Sequence, residues 1–237
     1  MVSKHLKATA AVAILGVLGF GASGAKAGSV IRSGSTVDGW TITYPTGISL
    51  IEDAVVGNTL QIEKEAAFVS MEGLVITFTQ DAPAADAAQY ISIVNENVTN
   101  LTGQSWGGFQ MFLSNPEAPI NAPATFVSQF NEITPFATGT LSTDVTPNDT
   151  YTLGGGGSVA PGATALWGYD PNGGDLTIDA NPNANYGAQG QYPQSFGFKE
   201  LPNAASVPLP ASVWMGLAGL GMAGLVVQGK KAKKVIA

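Results

Sequence analysis

Leu74-Val75-Ile76-Thr77-Phe78-Thr79 contains neither glycine nor proline, and its large apolar residues Leu74, Ile76 and Phe78 alternate with Val75, Thr77 and Thr79. Side chains of a strand point to opposite faces with a period of two, so this stretch predicts a β-strand with one buried face. Its β-branched and aromatic content fits a pleated, half-buried surface.

Working outward, six further short runs of the same kind lie at 40–44, 60–63, 90–94, 109–113, 176–179 and 196–199, separated by turn-forming residues. No run carries a long helical period, and helix is expected only in small pieces near 82–88. Several short strands with turn signals between them predict a mainly β fold, an antiparallel β-sandwich or jelly-roll-like body. The stretch 138–194 shifts to Gly, Pro, Asn, Thr and Ala and includes Gly154-Gly155-Gly156-Gly157, which reads as mobile loop. No Lys-Ser or Lys-Thr follows those glycines and the surrounding charge is negative, so a phosphate cradle is excluded.

The chain has 237 residues, of which 11% are charged and 45% hydrophobic. That balance argues against a charge-driven disordered chain. The formal net charge is −7, but the basic residues are concentrated at the two ends. Between Gly28 and Ser206 only Arg32, Lys64 and Lys199 face all 17 acidic residues, leaving −14. A surface of that sign repels phosphate backbones and excludes nucleic acid as a partner. Divalent cations, basic proteins and neutral glycans remain compatible with it, as does plain solubility. The chain has no cysteine, so neither disulfides nor thiolate sites are available. Its one histidine, His5, precedes the first apolar run.

The ends read as addresses. Residues 1–7 are basic, 8–20 are apolar, and Ala25-Lys26-Ala27 places small residues at the −3 and −1 positions of a signal-peptidase site. Residues 1–27 are therefore a predicted signal peptide, and 28–203 the exported acidic β-rich domain. Residues 204–237 form the tail: Val207-Pro208-Leu209-Pro210-Ala211, an apolar glycine-rich transmembrane helix at about 211–228, and a basic end at 229–237 with Lys230, Lys231, Lys233 and Lys234. The apolar length is just sufficient to span a bilayer, and the terminal lysines hold that end in the cytoplasm. The prolines keep the preceding segment extended and accessible to a protease.

A short Pro-containing motif, a glycine-rich membrane helix and a terminal basic cluster together resemble the PEP-CTERM tail read by exosortase enzymes, with Val-Pro-Leu-Pro standing for Pro-Glu-Pro and Leu209 in place of the glutamate. Residues 93–113, with Glu96, Val98-Thr99-Asn100, Thr102-Gly103, Trp106 and Phe109, resemble a segment recurring in the bodies of such proteins. The resemblance implies a membrane-anchored precursor outside the inner membrane, processed by an exosortase-type membrane protease to a cell-surface or extracellular protein, and association with exopolysaccharide.

Within the body, 100–103 reads as a polar turn and Trp106 as core rather than a sugar-stacking platform. Asp170, Asn172, Asp175 and Asp179 surround a Gly-Gly turn and are candidate oxygen ligands for Ca²⁺, although a plain hairpin turn explains the same residues better. Asn97-Val98-Thr99, Asn100-Leu101-Thr102 and Asn148-Asp149-Thr150 match the glycosylation acceptor pattern. Glu63 with Glu65, or Glu52 with Asp53, are the carboxylate pairs a glycosidase would need. A solvated strand face is the stronger reading of Glu63 and Glu65. A serine nucleophile lacks a histidine base. The sequence thus predicts a non-enzymatic body without a resident cofactor. The alternative is a glycan-binding module that uses Trp40, Trp106 or Trp167, with or without Ca²⁺.

Overall fold

The computed structural model describes residues 28–116, 122–142, 149–169, 174–188 and 191–205. Fourteen strands run in chain order: β1 (Ser29–Ile31), β2 (Ser35–Val37), β3 (Trp40–Thr43), β4 (Ile48–Val56), β5 (Thr59–Phe68), β6 (Leu74–Gln80), β7 (Tyr90–Asn100), β8 (Trp106–Ser114), β9 (Thr125–Phe126), β10 (Phe136–Ser142), β11 (Thr150–Gly156), β12 (Thr164–Trp167), β13 (Leu176–Asp179) and β14 (Ser195–Ala204). All seven predicted runs fall on strands, and in β6 Ile76 and Phe78 are buried while Val75 is exposed. The described residues contain no helix. The expected helical piece at 82–88 is instead a turn in which the amides of Asp86 and Ala87 both donate to the carbonyl of Pro83.

Two seven-stranded sheets face each other. One has the order β1-β4-β5-β7-β13-β9 with β12 also on β7, and the other β10-β11-β8-β14-β6-β3-β2. The expected purely antiparallel pattern fails at one place, because β5 and β7 pair in parallel. The chain leaves β5, crosses to the second sheet as β6 and returns beside β5, so β5 and β7 run in the same direction. Rings from the two inner faces interlock: Phe68 of β5 meets Trp106 and Phe109 of β8 edge-on, and Trp167 of β12 meets Phe109 with centroids 5.0 Å apart. Such pairs add about 0.5–1.5 kcal/mol each beyond their buried area.

Turn chemistry fixes several registers. Val37 pairs with Trp40 across a two-residue Asp38-Gly39 hairpin in which both residues have positive φ, 44° and 76°. That is the requirement of a type I′ turn, which matches the twist of the flanking strands. A Cβ on Gly39 would also stand 2.6 Å from the Ala87 Cα, so that position is closed sterically as well. The four-glycine run is only partly loop: Gly154 and Gly156 pair with Thr138 and Phe136 of β10. Glycine is tolerated there because β10 is the edge strand of its sheet and Gly154 to Gly156 form the end of β11 that pairs with it. Likewise 138–194, expected as mainly loop, contributes most of β10 and all of β11, β12 and β13.

Candidate functional site

Among the described residues, a charged constellation lies in the inner layer between the sheets. Strand β5 reads Leu60, Ile62, Lys64, Ala66, Phe68 on its buried face, so Lys64 points inward with the apolar residues. Glu96 of β7 is its register partner across the parallel pair, and Glu200 of β14 comes from the opposite sheet. Lys64 is 1% exposed, Glu96 0% and Glu200 1%. The Lys64 Nζ donates to Glu96 Oε1, and Glu200 Oε2 forms a second ion pair with the same nitrogen at 2.7 Å. Glu96 Oε2 and Glu200 Oε1 have no hydrogen-bond partner although buried.

A buried ammonium between two buried carboxyls sums to −1 unless one carboxyl keeps its proton. Burial and the neighbouring Glu200 push the Glu96 carboxyl well above the ordinary carboxylate range, outweighing the Lys64 charge. Lys64 is held above the ordinary lysine value because the two carboxylates overcome the desolvation that would lower it. The direction of the Glu96 shift favours a proton kept on that carboxyl, the arrangement that would bring the triad to neutrality.

Sequence reading did not single out Lys64, Glu96 and Glu200 as a group. The carboxylates it did consider sit elsewhere. Glu63 and Glu65 lie on the outer face of β5, where they accept from Asn95 and Asn97 at 3.2 and 3.3 Å. Glu52 accepts from Ser29 and lies at a bulge of β4. Near the outer carboxylates, burial and the Glu63 and Glu65 charges push the Tyr169 hydroxyl up to about 12.

The candidate calcium residues are only half within the described residues. Asp175 accepts from the Ser92 hydroxyl at 3.0 Å, and Asp179 from the Gln89 amide side chain and the Asn181 backbone. Asp170 and Asn172 lie outside the described residues, and among the described residues no group of three or more His, Cys, Asp or Glu could hold a metal. Of the acceptor patterns, Asn100 is fully buried and committed on both side-chain atoms, which removes it as a glycosylation site. Asn97 is engaged with Glu65, and Asn148 lies outside the described residues.

Residues 100–106 form a closed loop built from that asparagine. Asn100 Oδ1 accepts from the Thr102 amide and hydroxyl at 3.0 and 2.8 Å, while Nδ2 donates to the carbonyls of Gln104 and Val159 at 2.7 and 2.8 Å. The Trp106 indole donates to the Thr102 hydroxyl at 3.1 Å. The expected polar turn is thus a locked one, and Trp106 is core with 0% exposure. Trp40 and Trp167 are equally buried, so none of the three can stack on a sugar. One open, glycine-lined groove of about 650 Å³ runs along Gly155, Gly156 and Gly157 toward Asn203 and Ala204 and carries no titratable side chain.

Burial also raises the carboxyls of Asp38 and Asp149, with Glu52 adding to the effect at Asp38. A folded-state value above the unfolded one means that the folded chain binds more protons, so stability from these groups is greatest at low pH and falls as pH rises. The acid excess of the body acts in the same direction. The melting temperature of the body is expected to fall as pH rises from about 4, the ordinary aspartate value, toward neutrality, read by thermal melting at constant ionic strength.

The described residues thus define a cysteine-free two-sheet β protein with a sealed ionic core and a strand, β14, that leads directly into the tail. Residues 206–231 match the family model of the PEP-CTERM protein-sorting motif, so the chain carries an exosortase sorting tail. That motif implies an exported protein with an exosortase-type processing partner. No curated protein and no solved structure matches the chain. Ala25 and Ala27 of the predicted signal-peptidase site, the motif residues Val207 to Ala211, and Lys230, Lys231, Lys233 and Lys234 lie outside the described residues. Among the described residues no helix is long and apolar enough to cross a membrane.

Proposed function

We propose that this is a non-enzymatic surface or extracellular-matrix protein, exported behind residues 1–27, held in the membrane by the helix at about 211–228, and released to the exterior by an exosortase-type protease in association with exopolysaccharide. The observation that carries the reading is the sorting motif at 206–231. Its position supports a handover from body to tail: β14 ends at Ala204, two residues before the matched segment begins. A non-catalytic, cofactor-free body is supported by the placement of its acids. The inward pair is sealed around Lys64, and the outer pair is tied to asparagines on an open strand face. The glycan-binding alternative loses its ring platform with the burial of Trp40, Trp106 and Trp167.

The test is intact mass and membrane fractionation of the protein from its native cells beside a Pro208→Ala, Pro210→Ala variant. The wild type is expected to lose the tail and leave the membrane, and the variant to keep it. A wild-type chain that retains Lys230 to Ala237 in the membrane would show a permanently anchored protein instead.

A further inference from the structure

We propose that Lys64 and Glu96 are the two ends of an intramolecular amide bond that forms spontaneously in the folded body, with Glu200 carrying the protons. The inference concerns the body alone and does not depend on how the tail is sorted.

Amide formation between an amine and a carboxylic acid needs three things that bulk water denies and this interior supplies. The first is contact. Lys64 and Glu96 are directly opposite in the β5–β7 register, and Nζ touches Oε1, so the nucleophile is held beside the Glu96 carboxyl carbon without a search. The second is a dry site that keeps an acid protonated; the Lys64 ammonium, which the carboxylates favour, has a proton acceptor in contact with it. The same-face neighbours Ile62, Ala66, Val98 and Phe198 are buried, as are the cross-strand partners Leu50, Met111 and Trp167. In such surroundings a second buried negative charge is costly, which favours a proton on one of the two carboxyls. The third is a proton relay. Glu200 Oε2 faces Nζ from the other sheet at 2.7 Å, and its Oε1 is unpartnered.

The step balances within the triad. Glu200 first takes a proton from the Lys64 ammonium, leaving a neutral amine, a protonated Glu96 and a protonated Glu200. The amine lone pair attacks the Glu96 carboxyl carbon. Glu200 gives its proton to the departing hydroxyl and receives the proton that nitrogen loses. The N–C bond forms, the C–O bond breaks, one water leaves, and Glu200 ends protonated as it began the attack. No oxidant or activating group is required.

The product would tie the parallel β5–β7 pair covalently, in a protein with no cysteine for a disulfide. It would also relieve the interior of an ion pair and leave Glu200 beside a neutral amide.

Peptide mapping by mass spectrometry of the exported protein tests the proposal, because processing at either end leaves residues 64 and 96 in place. The expected result is a linked peptide pair, one water lighter (about 18 Da), with no tryptic cleavage after Lys64 and fragments joining Lys64 to Glu96. A Glu200→Gln variant, shown folded by circular dichroism, is expected to stay unlinked. A Glu96→Gln variant offers an amide carbon to the same amine and is expected to link with loss of ammonia (about 17 Da) instead of water. Separate full-mass peptides in the wild type, a bond from Lys64 to Glu200, or linkage unaffected by Glu200→Gln would each overturn the proposal.

Discussion

Lys64→Ala is expected to destabilise the body by about 3–5 kcal/mol, lowering the melting temperature by on the order of 10 °C. Lys64 is the only basic residue among the described residues that touches Glu96 or Glu200, and both carboxyls are sealed from water, so its loss removes their partner whether that is an ammonium or an amide nitrogen. Removing it leaves two carboxyls facing each other across a cavity with no cation, so that both must stay protonated or one must be buried as an unpaired charge. Lys199→Ala is the control. That side chain follows the outward parity of β14, one residue before Glu200, so its loss is expected to stay within about 0.5 kcal/mol. Chemical denaturation of the two variants beside the wild type separates them. A triple variant, Lys64→Met with Glu96→Leu and Glu200→Leu, is expected to recover stability relative to Lys64→Ala, because an apolar layer has no unpaired groups to bury. If Lys64→Ala behaves like Lys199→Ala, the triad is hydrated in solution and the sealed core is wrong.

The second large effect is expected from Asn100→Ala, a loss of about 2–4 kcal/mol. Each hydrogen bond is worth about 1 kcal/mol net, and stripping donors from buried carbonyls costs a further 1–3 kcal/mol. Asn100 makes four such bonds, and through Thr102 it also positions the hydroxyl that accepts from the Trp106 indole. Its Val159 contact reaches 59 residues along the chain, so the loss is not confined to the loop. Asn100→Asp keeps the shape but sets a carboxylate oxygen against the carbonyls of Gln104 and Val159, and is expected to cost at least as much as alanine. Denaturant unfolding measures both, and tryptophan emission reports whether Trp106 becomes exposed. Equal stability of Asn100→Asp and wild type would mean that the carbonyl contacts contribute nothing.

The Asn100 lock gives the recurring-looking segment at 93–113 a physical meaning without a ligand. Asparagine accepts for the turn and donates across it, threonine relays to the indole, and Gly103 takes the positive φ of 76° that the turn requires. The tryptophan then closes the end of the aromatic layer. Its residue types were legible as a turn followed by core, but the pairing with Val159 was not, because no local pattern announces a partner so far along the chain.

The buried triad shows where local reading stops. Lys64 shares the parity of Leu60, Ile62, Ala66 and Phe68, and Glu200 that of Phe196 and Phe198, so two of its members stand at inward positions in the bare pattern. Read as a strand of only four residues, 60–63 ends one position short of Lys64 and hides it. Glu96 cannot be placed by parity at all. Ile91 and Ile93 are inward, which would put Asn95 and Asn97 inside. The register shifts at Val94, where Ile62 pairs with Ile93 but Glu63 pairs with Asn95. That extra residue turns the second half of β7 over, so that Glu96, Val98 and Asn100 point inward. Strand β13 pairs with the half before the shift and β12 with the half after it.

The sequence by itself determined the mainly β class, the inward face of β6, the absence of thiol chemistry, the acidic body and the sorting tail, because each follows from composition or from a pattern a few residues long. It took the tertiary fold to make β5 and β7 parallel, to bring Trp40 and Trp167 into the interior beside Trp106, and to bury a lysine and two glutamates from three strands together. Those outcomes depend on sheet order and on one bulge, which arise from contacts between segments remote in the chain.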